Sequence, residues 1–411
     1  MKHVLSRLTS LVATLLVALL TLAPPLHADL SQPGPHQAGW TTVTVTRPNS
    51  TTFSAALYYP ALATGVNAPY DPSGAPYPAI AFGHGFLQPV NAYQGTLQHL
   101  ATWGYFVIAT ESEGGLFPSH ANFAADLRHT LTWLESENAT SASVWYGQVD
   151  VAHFGLSGHS MGGGASILAA AADPRVKALA NLAAAETNPS AITAMLAVHV
   201  PVSLISGTQD SIVPLASNGQ LMYQNARAPR LLPKILGGYH CGFVDNPAFG
   251  GLGCDSGSIP AATQLAITRR LLTTFFNFYL KGDQSLWSQV WGPGMTYDPQ
   301  VLTSYDPGSL FAPFGQRKSG LGGTTLQFSF TLFNTGTLPS SFSLFCEQNN
   351  WPVTVLPAQT AVLSPGQSTA IQVLVDIPLH PPLGVDSPVI SARTDLDGLT
   401  RSFARLRARK L

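Results

Sequence analysis

The sequence predicts an α/β domain, with a mostly parallel central sheet and helices on both faces, followed by a small all-β sandwich. Three observations predict it. Short apolar runs alternate with helix-forming runs as far as residue 280, the pattern of parallel strands joined by crossover helices. One junction carries Gly158-His159-Ser160-Met161-Gly162, a Gly-x-Ser-x-Gly turn between the strand-like run 151–156 and the helix-forming run 165–172. From Thr324 the period becomes two: Leu326, Phe328 and Phe330, then Ile371, Val373 and Val375, alternate with polar residues, and Asn334-Thr335-Gly336 and Ser364-Pro365-Gly366 supply turns. A length of 411 residues suits two domains of about 100–200 residues each.

The elements follow in order. Residues 1–28 hold Lys2, Arg7, an apolar run over 11–22 and Pro24-Pro25-Leu26-His27-Ala28, which reads as a signal peptide cleaved after Ala28. A membrane anchor would need a longer apolar run. Strands are expected at 41–46, 54–59 and 78–82, the last ending in Gly83-His84-Gly85-Phe86. Helix 93–103, strand 105–110 and helix 122–135 lead to the Ser160 turn. Strands at 176–183, 201–206 and 231–236 follow, with a helix from near Pro214, and helix 263–280 closes the domain at about residue 285. Residues 286–323, dense in Gly, Pro, Trp and Asp, read as a linker, and the sandwich occupies 324–411. The final run 401–410 alternates Arg401, Arg405, Arg407 and Arg409 with Ala404, Leu406 and Ala408. It is expected to be a charged, solvated edge strand.

The chemistry gathers at strand ends. Ser160 on a strand-to-helix turn is placed to be a nucleophile, although a Gly-rich loop with an incidental serine has the same spelling. Asp210 follows the 201–206 strand, where it also suits a helix cap, and His240 follows the 231–236 strand in Gly237-Gly238-Tyr239-His240. The order Ser, Asp, His at successive strand ends is that of an α/β-hydrolase triad. The turn at Phe86 occupies the position that supplies half of an oxyanion hole, so the backbone N–H groups of Phe86 and Met161 are the expected donors. His159 and Phe86 are candidates for lining the substrate cleft. Glu186 is a weaker substitute acid, His84 reads as structural, and Asp395-Leu396-Asp397-Gly398 reads as a hairpin turn.

Charged residues are only 10% of the chain and net charge is −1, against about 25% charged in typical soluble domains. Neither nucleic acid nor an anionic surface is an obvious partner. Of three cysteines, Cys241 and Cys254 are close in sequence and are the expected disulfide of an exported chain, a loop closure worth roughly 3 kcal/mol. Cys346 is left as a buried thiol. No Cys/His spacing matches a zinc site, and the chemistry needs no cofactor.

Over residues 41–280 the chain resembles the secreted cutinase and polyester (PET) hydrolases, with similarity also to dienelactone-hydrolase-like and chlorophyllase-type esterases. The resemblance rests on Tyr146-Gly147-Gln148-Val149-Asp150, Gly158 through Gly164, Asp210-Ser211-Ile212-Val213-Pro214 and Gly237-Gly238-Tyr239-His240. It implies a secreted ester hydrolase with Ser160, Asp210 and His240 as triad and Phe86 and Met161 as oxyanion donors. Two departures bear on substrate. Polyester hydrolases of this kind carry a Trp where this chain has Ala183-Ala184-Ala185-Glu186, which weakens an aromatic clamp. The Gly-His-Gly-Phe and His-Cys-Gly-Phe stretches look closer to the chlorophyllase-type branch. The C-terminal part looks like the Ig-like modules appended to secreted enzymes. The expected substrate is a polyester such as cutin or PET, met at an insoluble surface by a monomer. Small soluble or lipid esters are the alternative, and a non-catalytic surface-binding role is the alternative of another class.

Overall fold

The computed structural model describes residues 29–381 and 383–411; the expected signal peptide, residues 1–28, lies outside the described residues. In chain order the first domain runs β1 (Gln37–Thr46), β2 (Thr52–Ala61), β3 (Gly65–Val66), β4 (Tyr77–Gly83), α1 (Gln94–Thr102), β5 (Phe106–Thr110), α2 (His120–Ala139), β6 (Val149–His159), α3 (Met161–Ala172), β7 (Val176–Leu182), α4 (Ala191–Ala194), β8 (Val202–Gly207), α5 (Gly219–Asn225), β9 (Arg230–Ile235) and α6 (Ala261–Leu280). The short helices α7 (Trp287–Val290) and α8 (Pro293–Thr296) and strand β10 (Val301–Asp306) complete it.

One sheet of ten strands, in the order β10-β9-β8-β7-β6-β4-β5-β2-β1-β3, forms its middle. Strands β4 to β9 are mutually parallel. Antiparallel strands flank them, β2 and β1 on one side and β10 on the other. Every residue of β4 and β5 is buried, because helices cover both faces and a strand there has no polar side to show. Leu97 and Leu100 of α1 pack with Phe275 and Phe276 of α6 on one face. Phe123 and Leu127 of α2 pack with Ala165 and Ile167 of α3 on the other.

The second domain is a two-sheet sandwich that begins earlier than the sequence suggested. Its strands are β11 (Ser309–Ala312), β12 (Gly315–Gly320), β13 (Thr325–Asn334), β14 (Phe342–Gln348), β15 (Val353–Leu356), β16 (Ser368–Asp376), β17 (Val385–Asp386), β18 (Val389–Thr394) and β19 (Arg401–Lys410). One sheet is β11-β13-β16-β15; the other is β12-β19-β18-β14, with β17 on β19. Phe328, Phe330, Val373, Ile390 and Leu406 fill the space between them.

Residues 286–323 are therefore not a linker. They supply α7, α8, the β10 edge of the first sheet and two strands of the sandwich. Four-residue helices are too short to display a period, and β12, Gly-Gln-Arg-Lys-Ser-Gly, contains no apolar residue to reveal it. A second correction concerns β19, which is an interior strand between β12 and β18 rather than a solvated edge. Ala404, Leu406 and Ala408 face the sandwich core as expected. On the opposite face Arg407 and Arg409 are exposed, but Arg401 and Phe403 are buried against the first domain.

That docking is apolar at its centre and polar around it. Val389 and Phe403 join the core that contains Phe275, Trp287 and Trp291. Around them the Tyr279 and Thr400 hydroxyls bond at 2.9 Å, Arg401, held by Glu347 of its own domain, donates to Gln284 at 2.6 Å, and the Arg405 guanidinium lies 4.1 Å over the ring of Tyr297. Cys346 is half-buried rather than fully buried, and burial pushes its thiol up to about 11. The 395–398 stretch is the expected hairpin turn: it joins β18 to β19, and Asp397 accepts from the N–H groups of Leu399 and Thr400, both at 2.8 Å.

Candidate active site

Strand β6 drives the chain into α3 through a single residue, Ser160, whose backbone adopts φ 57°, ψ −120°. A non-glycine residue holds such angles only where its surroundings over-determine them. Here Ser160 N–H donates to Leu182 O at 3.0 Å and Ser160 O accepts from Ala185 N–H at 2.9 Å. The small residues around the turn let strand and helix meet. A Cβ at Gly158 would stand 2.4 Å from Gly162 O, and one at Gly162 would stand 2.1 Å from Gly83 O. The run Ala183-Ala184-Ala185 has a related origin, because this backbone wraps against the Ser160 turn with Ala183 at φ 43°. Ala183 and Ala184 are buried.

Asp210 and His240 come to the same end of the sheet from β8 and β9. His240 Nδ1 lies 2.8 Å from Asp210 Oδ2, with both side chains buried. Asp210 Oδ1 accepts from the N–H groups of Ile212 at 3.0 Å and Val213 at 2.7 Å. Asp210 thus closes its own turn with one oxygen and holds His240 with the other; it does not cap α5, which starts at Gly219 after a 3₁₀ turn. Ties between the two loops fix the pairing: Gln209 N–H donates to Gly238 O and Gly237 N–H to Thr208 Oγ1, both at 2.8 Å.

Ser160 and His240 line one cavity of about 250 Å³ together with Phe86, Ile212, Phe249 and Leu252. Phe249 is 74% exposed and Leu252 86%, so the rim is apolar and open. Both rim residues lie in the loop closed by the Cys241–Cys254 disulfide, as the cysteine spacing predicted. Phe86 lines the same cavity, and Met161 follows Ser160 as the first residue of α3.

The floor is a buried polar pair that sequence reasoning missed in part. His159 lines the cavity but is only 2% exposed. Its ring lies 4.4 Å from that of His240, and its Nδ1 lies 2.8 Å from the Tyr93 hydroxyl. That hydroxyl also accepts from Gly85 N–H at 3.0 Å. The Tyr93 hydroxyl thus bridges Gly85 N–H and the His159 ring. Burial, reinforced by His240 nearby, holds His159 well below the ordinary histidine range. Tyr93 thereby links the Phe86 loop to the residue beside Ser160. Its only trace in the sequence is a tyrosine eight residues after Gly85, at the start of a helix.

Other expected roles divide cleanly. His84 is buried between the carbonyls of Gly85 at 2.8 Å and Ser112 at 2.9 Å, which makes it part of the loop's framework. Glu186 accepts from Ile192 N–H at the start of α4 and does not reach His240. Among the described residues no group of three or more His, Cys, Asp or Glu is placed to hold a metal ion, and no helix is long and apolar enough to cross a membrane.

Cutinase cut1 of Thermobifida fusca is 25% identical over 262 residues, which span 58% of this chain and 80% of that protein. Cutinase est1 of Thermobifida alba is 26% identical over 149 residues, 36% of this chain and 48% of that protein. A profile of the PET hydrolase-like family matches residues 25–243, from before β1 to just past His240. The chain therefore belongs to the PET hydrolase-like family, ester hydrolases built on the α/β-hydrolase fold.

Proposed function

We propose that the protein is an exported serine ester hydrolase that cleaves polyesters through an acyl-enzyme, with Ser160 as nucleophile, His240 as general base and Asp210 as its orienting carboxylate. The observation that carries this reading is the 2.8 Å bond from His240 Nδ1 to Asp210, beside a cavity that Ser160 shares. With Nδ1 so engaged, Nε2 is the nitrogen that takes the Ser160 proton as the hydroxyl attacks the ester carbonyl. The N–H groups of Phe86 and Met161 receive the oxyanion, His240 returns the proton to the leaving alcohol, and water releases the acyl group by the same steps. Asp210 stabilises the imidazolium without taking its proton.

The open apolar rim of Phe86, Ile212, Phe249 and Leu252 supports a polymer or other insoluble ester as substrate, since a chain larger than the cavity must lie across it. The Ala183-Ala184-Ala185 run favours a second reading, small soluble or lipid esters, because it gives the substrate no aromatic flank. The test is hydrolysis of short and long p-nitrophenyl esters beside erosion of an amorphous polyester film, by wild type and Ser160→Ala. Erosion by wild type and a loss of roughly 10⁶ in turnover on Ser160→Ala are expected. Soluble turnover with an intact film selects small esters, and turnover that survives Ser160→Ala overturns the mechanism.

A further inference from the structure

The Asp210 and His240 loops leave different strands and need a fastening at the residues that matter. One carboxylate provides it. Asp255 follows Cys254 directly, and its Oδ1 accepts from Cys241 N–H at 3.0 Å while Oδ2 accepts from His240 N–H at 3.0 Å and from Ser211 N–H at 3.1 Å. Ser211 is the neighbour of Asp210, so the same oxygen grips the backbone on both sides of the His240–Asp210 bond. The other ties between these loops, at Thr208, Gln209, Gly237 and Gly238, lie further back toward the strands. The Cys241–Cys254 disulfide limits how far Asp255 can retreat. Asp255 also lies beyond residue 243, where the match to the family profile ends.

We propose that Asp255 is a positioning residue that sets the His240–Asp210 geometry for proton transfer, a role that rests on the triad reading above. Hydrogen bonds to a carboxylate are shorter and about twice as strong as neutral ones, and three of them converge on two loops. Asn offers one acceptor oxygen where Asp offers two, and its amide group would face an N–H. Asp255→Asn therefore keeps the shape, sets its amide against at least one of the three N–H groups and removes the charge that strengthens the other bonds.

The experiment compares wild type, Asp255→Asn and Asp255→Ala as the full secreted chain. It reads kcat and KM on p-nitrophenyl butyrate and the downfield proton resonance of His240 Nδ1–H. Misplacement of order 1 Å costs about 100-fold in rate, so kcat is expected to fall roughly 10- to 100-fold, more for Ala than Asn, with KM within about twofold. The downfield resonance is expected to shift or broaden in both variants. A folded variant with kcat within about twofold of wild type and an unchanged resonance overturns the proposal. If Asp255→Ala does not fold, the isosteric Asn variant decides. The resonance separates this proposal from the triad reading: were wild type inactive on every ester, an unchanged resonance in Asp255→Asn would still overturn the clasp.

Discussion

The α/β domain and the sandwich bury polar groups in different settings. In the α/β domain they lie inside the fold: Ser160, Asp210, His159 and His240 under the cavity, with Ser166 and Asn181 bonded at 2.7 Å beneath α3. In the sandwich the space between the sheets is filled mainly by apolar side chains, Ser309 and Ser402 bond to each other at 2.7 Å between strands of the two sheets, and Arg401 and Thr400 are buried where the sandwich meets the first domain. Burial without a partner costs about 1–3 kcal/mol per polar group in proteins. Polar burial is therefore found where something is positioned. In the α/β domain those places include the candidate site, and in the sandwich they include the docking face.

Helix α6 measures the separation. Its Gln264 accepts from Tyr239 N–H, beside His240, while Tyr279 bonds to Thr400 of the sandwich. At about 1.5 Å per residue those positions are roughly 22 Å apart. The sandwich braces the end of α6 remote from the cavity.

The comparison can be broken at the docking face first. Phe403→Ala empties a site shared by both domains, and truncation of a buried Phe costs about 3–5 kcal/mol. Calorimetry should show a lower transition for the α/β domain as well as the sandwich. A loss confined to the sandwich would mean that the two are merely adjacent.

Acid should sharpen the contrast from the other side. His99, buried between Leu30 O and Thr273 Oγ1, is held down from 6.5 to about 4, mainly by burial and then by the charge of Arg269. The folded state keeps this ring neutral and the unfolded chain protonates it near 6.5. Its stabilisation is therefore complete above about pH 6.5 and lost as pH falls toward 4, a total of roughly 3 kcal/mol. Thermal melts at pH 7 and 4.5 should show the α/β domain weakened, with His99→Gln flattening the dependence. A dependence unchanged by that substitution would contradict the assignment.

A smaller effect is expected inside the floor of the cavity. Tyr93→Phe leaves Gly85 N–H and His159 Nδ1 unpaired, at about 1–3 kcal/mol. Loss of turnover should accompany it, because the Phe86 loop loses its tie; full activity would show the tie to be dispensable. Smallest of all, Cys346→Ser should change stability by no more than about 0.5 kcal/mol. With its thiol at about 11 rather than 9, Cys346 should react with iodoacetamide at pH 8 roughly 100-fold more slowly than an ordinary cysteine. Fast alkylation would contradict that environment.

The two domains also differed in legibility. Buried parallel strands such as β4 and β5 read directly as apolar runs, and the Ser160, Asp210 and His240 positions followed from where those runs stopped. Elements that rely on their neighbours did not read: α7 and α8 are single turns, and β12 has no apolar side chain and is held by its pairing with β19. Arg401 and Arg405 looked solvated because their partners, Gln284, Glu347 and Tyr297, come from other segments of the chain. Asp255 was invisible for the same reason. Nothing in Cys254-Asp255-Ser256-Gly257 indicates that three distant N–H groups converge on it.

The most direct test of the central claim is reaction with a fluorophosphonate ester, read by intact mass and peptide mapping. The account predicts one adduct per chain on the peptide containing Ser160, absent from Ser160→Ala and strongly slowed in His240→Ala. An adduct that persists in Ser160→Ala, or a folded wild type that takes none, would contradict it.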